Sequence, residues 1–196
     1  MAELTFKTFL GREIESVLEP LSRLRITVFR EFPYLYEGTL AYEKDYLQTY
    51  LNSDRSFLFT VYHGEEMVGA TTCIPLTDET PDVQEPFIKA GMPMKKICYF
   101  GESVLLKAYR GRGLGVRFFN ERETHARNLG AGIMVFCAVQ RPADHPLKPA
   151  GYSDLSEFWR HRGYLPATHL VSKFSWKDID QTEETFKPMN YWSKSC

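Results

Sequence analysis

The sequence has 196 residues, 43% of them hydrophobic, and a formal net charge of −1 at pH 7. This length favours a single domain over residues 1–196, with enough apolar residues for a sizeable core. The near-zero charge gives no general attraction to nucleic acid or to an anionic membrane surface, so we expect neither partner. No stretch approaches the roughly 20 apolar residues that a membrane-spanning helix requires.

The four cysteines are scattered along the chain without the spacing of a metal site, and we expect no metal. Three of them lie in apolar, strand-like stretches, where a buried free thiol is the simplest interpretation. The N-terminal residues lack the apolar run of a secretory signal. These features together predict a reducing, cytoplasmic location.

The first half of the sequence predicts two helices and a hairpin. Residues 12–32 carry apolar residues at helical spacing, although Pro20 threatens a kink. A second helix is predicted over 40–52, and a β-hairpin over 56–76. The connection 77–93 is predicted to be irregular, with room for one helical turn.

The second half begins with a strand–helix–strand pattern over 96–139, which is short enough to require neighbouring parallel strands. A proline-rich loop and a short helix follow, and two strands complete a mixed α/β chain. The predicted elements of this half are a strand (95–109), a helix ended by Gly130 (114–130), a buried strand (131–139), a loop (140–152), a helix with Ser153 as its cap (153–164) and two strands (168–176 and 186–194).

The stretch "YRGRGLGVRFF", residues 109–119, lies where the predicted strand turns into the helix. The first turn of a helix has unpaired backbone N–H groups and a partial positive charge. Gly111, Gly113 and Gly115 leave those groups open to an anion, and Arg110 and Arg112 add charge. The pattern therefore predicts a phosphate or pyrophosphate ligand, unless the stretch is only a tight turn with solvated arginines.

Two other phosphate-binding motifs do not fit this stretch. A P-loop requires Lys-Ser/Thr after its last glycine, and here Val116 and Arg117 follow. A dinucleotide fingerprint requires Gly-x-Gly-x-x-Gly, and the three glycines do not have that spacing. An arginine–glycine RNA-binding segment would be longer and disordered.

The stretch "SVLLKAYRGRGLGVRFFNERETHARNLG" resembles the strand, coenzyme A loop and helix of the GNAT acetyltransferase superfamily, whose loop reads Arg/Gln-x-x-Gly-x-Gly/Ala. "SEFWRHRGY" resembles the second signature of that family. The order of elements agrees over roughly residues 4–194. The resemblance implies one domain with a mixed central sheet of about six or seven strands and helices on both faces.

The resemblance also implies the activity, an acetyl-CoA-dependent N-acetyltransferase in which a primary amine attacks the thioester directly, within a ternary complex. The acceptor would be a small-molecule or peptide amine, and the protein a monomer or homodimer. The implied coenzyme contacts come from the backbone of Val104, Leu105, Leu106, Arg110, Gly111, Arg112, Gly113, Leu114 and Gly115. A non-catalytic acyl-CoA-binding or sensing module remains the alternative.

The sequence departs from the family pattern in three places. Trp159 replaces the tyrosine that protonates the leaving thiolate in many members, and an indole cannot act as an acid near neutral pH. Lys107 replaces a common proline, and the loop 140–152 is longer than usual. Tyr152, at the end of this loop, could supply the missing hydroxyl or could be a buried anchoring residue.

Glu102 is the carboxylate nearest to the expected thioester. It could accept the proton of the attacking ammonium, directly or through a water molecule. It could also be a strand-edge or ion-paired residue. The family's strand usually carries a bulge here, so alternation along the strand does not tell which face Glu102 uses.

The acceptor pocket is predicted from the aromatic segment that follows the first helix. Phe29, Tyr34 and Tyr36 could bind an organic amine, although core packing would also explain most aromatics there. Tyr34 and Tyr36 follow a proline and are expected to face the surface. His145, in the proline-rich loop, is the histidine that we expect to be the alternative contact with the acceptor.

Overall fold

The computed structural model describes residues 3–196, which contain five α-helices and eight strands. The helices are α1 (Leu18–Phe29), α2 (Leu40–Leu51), α3 (Pro81–Lys89), α4 (Leu114–Asn128) and α5 (Ser156–His161). The strands are β1 (Leu4–Leu10), β2 (Phe57–His63), β3 (Glu66–Pro75), β4 (Ile97–Tyr99), β5 (Ser103–Leu105), β6 (Ile133–Val139), β7 (Leu165–Lys177) and β8 (Glu184–Ser195).

All eight strands form one mixed sheet in the order β1-β2-β3-β4-β6-β8-β7, with β5 also paired to β3. β4 and β6 are parallel neighbours, and the other pairs are antiparallel. The predicted α/β fold is therefore confirmed, including the parallel strand–helix–strand unit. The sheet has eight strands, whereas the sequence pattern predicts six. The difference arises because β1 was not predicted and the stretch 95–109 forms two strands, β4 and β5.

β1 escaped prediction because it is a half-exposed edge strand, whose only partner among residues 3–196 is β2. The predicted first helix is shorter than expected, since a 3₁₀ helix occupies Gly11–Val17 and α1 ends at Phe29. Pro20 lies in the first turn of α1, where its missing N–H removes no helical hydrogen bond. Pro20 is therefore compatible with an uninterrupted α1 from Leu18 to Phe29.

Helices cover both faces of the sheet, as predicted. The core on one face is built from α1, α2 and α3, with Leu21, Leu47 and Phe87 fully buried. The core on the other face is built from α4 and α5, with Phe118 and Tyr164 fully buried or nearly so. Each such side chain contributes roughly 1.5–3 kcal/mol by leaving water.

The stretch 77–93 and the start of the last helix differ from their prediction. The stretch 77–93 contains α3, a nine-residue helix that is longer than the one turn expected, and its Phe87 packs edge-on against Tyr191 at 5.0 Å between ring centroids. The last helix begins at Ser156, whose N–H donates to the Asp154 carboxylate at 2.8 Å, so Ser153 is not its cap. Among residues 3–196, no helix is long and apolar enough to cross a membrane.

Candidate functional site

The two central parallel strands separate at the end of β4. β4 and β6 pair over Ile97–Tyr99, and the Phe100 N–H still donates to the Val135 carbonyl at 2.7 Å. β5 then pairs with β3, and within the described chain no strand joins its other edge. Because β6 continues to Val139, a gap opens in the sheet between β5 and the second half of β6.

A β-bulge opposite Thr72 accompanies this separation. The Gly101 N–H donates to the Thr72 carbonyl at 3.2 Å, and the Thr72 N–H donates to the Glu102 carbonyl at 3.0 Å. Gly101 and Glu102 therefore both lie opposite Thr72. As a result, the β3–β4 pairs and the β3–β5 pairs differ in register by one residue. The extra residue turns Glu102 toward α1 and α2, which settles the face that the sequence left open.

Gly101 is required by close packing at the bulge. A Cβ at this position would overlap the Tyr50 hydroxyl and lie 2.6 Å from the Thr72 Oγ1. Tyr50 is 1% exposed and belongs to the core beneath α2, so it cannot easily move aside. The bulge therefore admits only glycine at this point without displacing the core.

The glycine loop precedes α4 as predicted. Gly111 and Gly113 have φ angles of +75° and +77°, a left-handed conformation that favours glycine. A Cβ on either would meet no heavy atom within 4 Å, so the space outside the loop is open. The side chain of Arg112 is exposed and lies over the Tyr109 ring at 5.2 Å. Open space beside unpaired helix N–H groups suits a pyrophosphate.

Arg110 extends from this loop across the end of β5. Its Nε donates to the Leu105 carbonyl at 3.0 Å, and its Nη1 pairs with Glu31 at 2.8 Å, just beyond α1. Tyr109 fixes the start of the loop, because its hydroxyl hydrogen-bonds His63 Nδ1 at 2.7 Å. Arg110 thus connects the glycine loop with the α1–α2 side of the gap.

Glu102 lies in a buried ionic cluster. Its Oε2 forms an ion pair with Arg25 Nη1 at 2.7 Å and accepts a long hydrogen bond from the Tyr46 hydroxyl at 3.5 Å. Arg25 Nε donates to Glu43 of α2. The Arg25 guanidinium lies over the rings of Tyr46 and Phe29, at 4.2 and 5.1 Å. These contacts hold the three charged side chains together beneath the bulge.

Burial and charge shift the pKa values in this cluster. Burial raises the pKa of Glu102 above its ordinary value, and Arg25 opposes this rise. Burial also raises the pKa of Tyr46, with a further contribution from Glu102. For Arg25, burial disfavours the charge, but Glu102, Tyr46 and Glu43 outweigh it and raise the pKa. At neutral pH, Arg25 is therefore a cation and Tyr46 a neutral phenol.

Glu79 is a third buried carboxyl on the same face, 8% exposed. Burial raises its pKa to about 7; the Thr80 N–H, which donates to Oε2 at 3.0 Å, opposes this, and the charge of Glu102 adds to it. Glu79 therefore changes its charge near neutral pH, where an ordinary glutamate is fully ionised.

The aromatic segment after α1 is more buried than the sequence predicted. Tyr36 is 8% exposed and belongs to the core, and Tyr34 is half-buried between Phe29 and Trp176, with centroids 4.6 and 5.9 Å away. The expectation that both tyrosines face the surface is therefore wrong. Tyr34 lies beside Phe29 as expected, but the side chain of Tyr36 is buried in the core.

The reason is a buried guanidinium that sequence reasoning missed. Arg141 donates to the carbonyls of Pro33 and Tyr34 at 2.7 and 2.6 Å, and makes two hydrogen bonds to Asp178 at 2.6 and 2.9 Å. Leu35, within this segment, has a φ of 53°, which is strained for a leucine. Arg141 and Asp178 hold the segment in that conformation.

The proline-rich loop reaches the same region. His145 and Tyr152 are both half-buried and pack against Phe32, with ring centroids 5.7 and 4.7 Å apart. Burial raises the pKa of Tyr152, so its phenol keeps its proton at neutral pH. The structure thus brings Tyr152 and His145 next to the segment that carries Phe29 and Tyr34.

Trp159 belongs to the core on the α4–α5 face. Its ring contacts Phe136 and Trp192 edge-on, with centroids 5.1 and 5.0 Å away. Three of the four cysteines are buried free thiols, as predicted, and Cys196 is exposed. Among the described residues, no group of three or more His, Cys, Asp or Glu side chains is arranged to hold a metal ion.

Sequence reasoning also missed Arg25 and Glu43. A signal was present, because Arg25 follows Leu21 by four residues and precedes Val28 by three, on the apolar stripe of the first helix. Glu43 likewise precedes Leu47 by four residues on the apolar face of α2. A charged residue on a core-facing stripe indicates a buried ionic contact, since an unpaired charge is costly to bury.

A model of the acetyltransferase (GNAT) family matches residues 22–152, about two thirds of the chain. The protein therefore belongs to the GNAT acetyltransferase family, as the two sequence signatures predicted. Members of this family are transferases that use acetyl-CoA. No curated protein matches the sequence significantly.

Solved structures share the fold over nearly the whole chain. A ribosomal-protein-alanine N-acetyltransferase from Brucella melitensis has 13% identity and a TM-score of 0.62, covering 97% of this chain and 99% of its own. An acetyltransferase from Thermus thermophilus has 16% identity and a TM-score of 0.59, covering 100% of both chains. A GNAT-family acetyltransferase from Streptococcus pneumoniae has 13% identity and a TM-score of 0.60, covering 99% and 100%. At this identity the likeness shows the fold alone.

Replacing Gly101 by alanine is expected to destabilise the protein by about 1–3 kcal/mol, because the new methyl group overlaps Tyr50 and Thr72. Gly132→Ala is the matched control, since a Cβ there meets nothing within 4 Å and its φ is not left-handed. Chemical unfolding of both variants measures the difference. Equal stability of the two variants would contradict the packing described at the bulge.

Glu79→Gln is expected to change how stability depends on pH. The folded state holds the Glu79 proton up to about pH 7, whereas the unfolded state releases it near pH 4.5. The free energy of unfolding that this group contributes is therefore lost as pH rises from about 4.5 to about 7, by roughly 3 kcal/mol in total. Glutamine has no proton to lose, so the variant should gain stability relative to wild type between pH 5 and pH 8.

Free energies of unfolding at several pH values measure this effect. Glu85→Gln, on the exposed surface of α3, is the control and should keep the wild-type pH dependence. Parallel curves for wild type and Glu79→Gln would show that Glu79 titrates normally.

Proposed function

We propose that the protein is an acetyl-CoA-dependent N-acetyltransferase that acetylates a primary amine. One observation carries the proposal: the gap between β5 and β6 has the glycine loop at one end and the buried carboxylate of Glu102 at the bulge. A strand edge can pair with an extended amide chain, and a helix N-terminus can bind a pyrophosphate. Membership in the GNAT family supports the same assignment.

In this proposal the edge of β5 pairs with the pantetheine arm of acetyl-CoA through backbone groups of Val104, Leu105 and Leu106. The Leu106 N–H donates to Val68 at 2.9 Å and its carbonyl accepts the Tyr109 N–H at 2.9 Å, so Leu106 offers the second lone pair of that carbonyl. The Leu105 carbonyl accepts from Arg110, so Arg110 must release it when the coenzyme binds. The ion pair of Arg110 with Glu31 is 42% exposed on both sides and therefore weak enough to break.

The pyrophosphate would lie against the backbone N–H groups of residues 111–115, at the start of α4, since the Arg110 N–H already donates to the Lys107 carbonyl at 3.2 Å. Gly111 and Gly113 leave open space there, and Leu114 anchors the first turn in the core. Arg110 and Arg112 are exposed beside the loop and supply positive charge. These features suit a dianionic group that enters from solvent.

Glu102 is the proposed proton acceptor for the attacking amine. An amine of pKa about 10 is almost all ammonium at pH 7, and neutralising it costs about 4 kcal/mol. The Oε1 of Glu102 is buried and has no hydrogen-bond partner within residues 3–196, so it is the atom that takes the proton. The neutral nitrogen then bonds to the thioester carbon, and the carbon–sulfur bond breaks. Tyr152 is proposed to give its proton to the departing thiolate, and it is reprotonated by the second proton that the attacking nitrogen loses as the amide forms.

The acceptor amine would bind on the α1–α2 side of the gap. Phe29 and Tyr34 form the aromatic wall there, and His145 lies on the proline-rich loop that packs against the same segment. Tyr36 supports this wall from the core rather than contacting the amine. A small-molecule amine and a peptide N-terminus are both compatible with this arrangement.

One observation favours the non-catalytic alternative, an acyl-CoA-binding module. Trp159 stands where many family members have a catalytic tyrosine, and its ring is packed between Phe136 and Trp192. Such a module would bind acetyl-CoA without transferring its acyl group. Free-thiol release with a panel of amines separates the two functions, since only the enzyme shows release that depends on an amine.

Gly113→Asp is expected to weaken acetyl-CoA binding about a hundredfold or more. The carboxylate would occupy the pyrophosphate position, and two charge-assisted hydrogen bonds of roughly 1.5–3 kcal/mol each would be lost. Gly91→Asp is the matched control, because Gly91 has a similar φ of +64° and open surroundings at the end of α3. Calorimetry with acetyl-CoA compares the two variants. Equal affinities would remove the coenzyme assignment.

Glu102→Gln is expected to lower acceptor-dependent turnover at pH 7 by about 10²–10⁴-fold, the usual contribution of a general base. Acetyl-CoA affinity should change little, because the glutamine keeps the size of the side chain. Part of the lost rate should return at high pH, as the amine deprotonates in solution. A wild-type rate between pH 6 and 9 would exclude Glu102 as the base.

A further inference from the structure

Glu43 and Glu102 share one guanidinium. Arg25 uses Nε for Glu43 and Nη1 for Glu102, and the three side chains are between 0% and 7% exposed. The rings of Tyr46 and Phe29 lie against the guanidinium, so Arg25 cannot readily turn toward either carboxylate alone. Packing therefore fixes which nitrogen of Arg25 contacts Glu43 and which contacts Glu102.

Ionised, the cluster carries two negative charges and one positive charge. The titratable groups that face Glu102 come from every element packed against it: Arg25 from α1, Glu43, Tyr46 and Tyr50 from α2, and Glu79 from the segment before α3. β3 contributes Thr72, which does not titrate, although its hydroxyl accepts the Glu102 N–H at 3.2 Å. Arg25 is the cation in contact with Glu102.

We propose that Glu43 is a positioning residue, which holds part of the Arg25 charge away from Glu102 and so keeps Glu102 able to accept a proton. The inference rests on the proposed role of Glu102 as the base. Glu43 does not touch the acceptor or the coenzyme in this arrangement. It acts only through Arg25.

The reason is the behaviour of buried ion pairs. A carboxylate that faces one buried arginine alone is strongly stabilised in its charged form and becomes a poor proton acceptor. A second carboxylate on the same guanidinium opposes that effect by repulsion. In Glu102, burial raises the pKa, Arg25 lowers it, and Glu43 raises it again. Removing the Glu43 charge would leave Arg25 and Glu102 as an isolated pair.

Glu43→Gln tests this directly, because glutamine has the same size and its amide oxygen can still accept from Arg25 Nε. The measurement is the pH profile of kcat/KM with one amine acceptor, chosen from the thiol-release screen. The acidic limb that belongs to the enzyme should move to lower pH by about one unit or more, and the rate above that limb should fall several-fold. The ionisation of the acceptor is the same in every variant, so the displacement belongs to the protein.

Glu79→Gln is the matched control, since it neutralises a buried carboxyl on the same face that makes no ion pair with Arg25. Its acidic limb should stay close to that of wild type. If the limb of Glu43→Gln also stays in place, or moves no more than that of Glu79→Gln, the inference is overturned. A structural role alone would lower stability and activity without moving the limb.

Glu102→Gln, measured in the same way, distinguishes the role of Glu102 as the base from the role of Glu43 as a positioning residue. If Glu102→Gln removes the limb and Glu43→Gln leaves it unmoved, only the role of Glu43 fails. If Glu102→Gln keeps the wild-type profile, the base assignment fails, and the role of Glu43 with it. Should Glu43→Gln not fold, Glu43→Asp withdraws the carboxylate from Arg25 Nε. The limb should then move in the same direction by less, and no movement would overturn the inference.

Discussion

The arrangement of the site depends on the bulge at Gly101 and Glu102. One extra residue opposite Thr72 reverses the side-chain alternation, so that Glu102 faces α1 and α2. At the same point the chain leaves β6 and continues as β5 beside β3 alone. Because position 101 has no Cβ, the bulge packs against Tyr50 without a clash. A single glycine thus determines both where the sheet opens and where a carboxylate is buried beneath the opening.

Buried charge fixes the two elements that line the acceptor side. On one flank, Arg25 ties α1 to α2 and to the bulge through carboxylates. On the other, Arg141 and Asp178 tie the segment after α1 to the end of β6 and to the β7–β8 hairpin. Buried ion pairs add little net stability, but breaking one costs several kcal/mol, so they select one conformation. In this protein they hold the walls of the gap in a defined position before any ligand binds.

The sequence predicted the parts of the fold that follow from periodicity and from local motifs. The parallel strand–helix–strand unit, the glycine loop before α4 and the buried cysteines follow from residues close together in the chain. The environment of Glu102 could not be predicted, since Arg25 lies 77 positions before it in the sequence. The same holds for Arg141, which meets Pro33 across a distance of 108 positions. The residues around Pro33 predict Tyr36 at the surface, whereas the fold pairs Tyr36 with Asp178, 142 positions later, and buries it.

The most direct test is a crystal structure of the protein with coenzyme A. We expect the pantetheine arm in the gap between β5 and β6 and the pyrophosphate within hydrogen-bond distance of the N–H groups of residues 111–115. We also expect Arg110 to have left the Leu105 carbonyl, since the coenzyme takes that acceptor. Coenzyme A bound elsewhere, with Arg110 still on Leu105, would contradict the proposed coenzyme site.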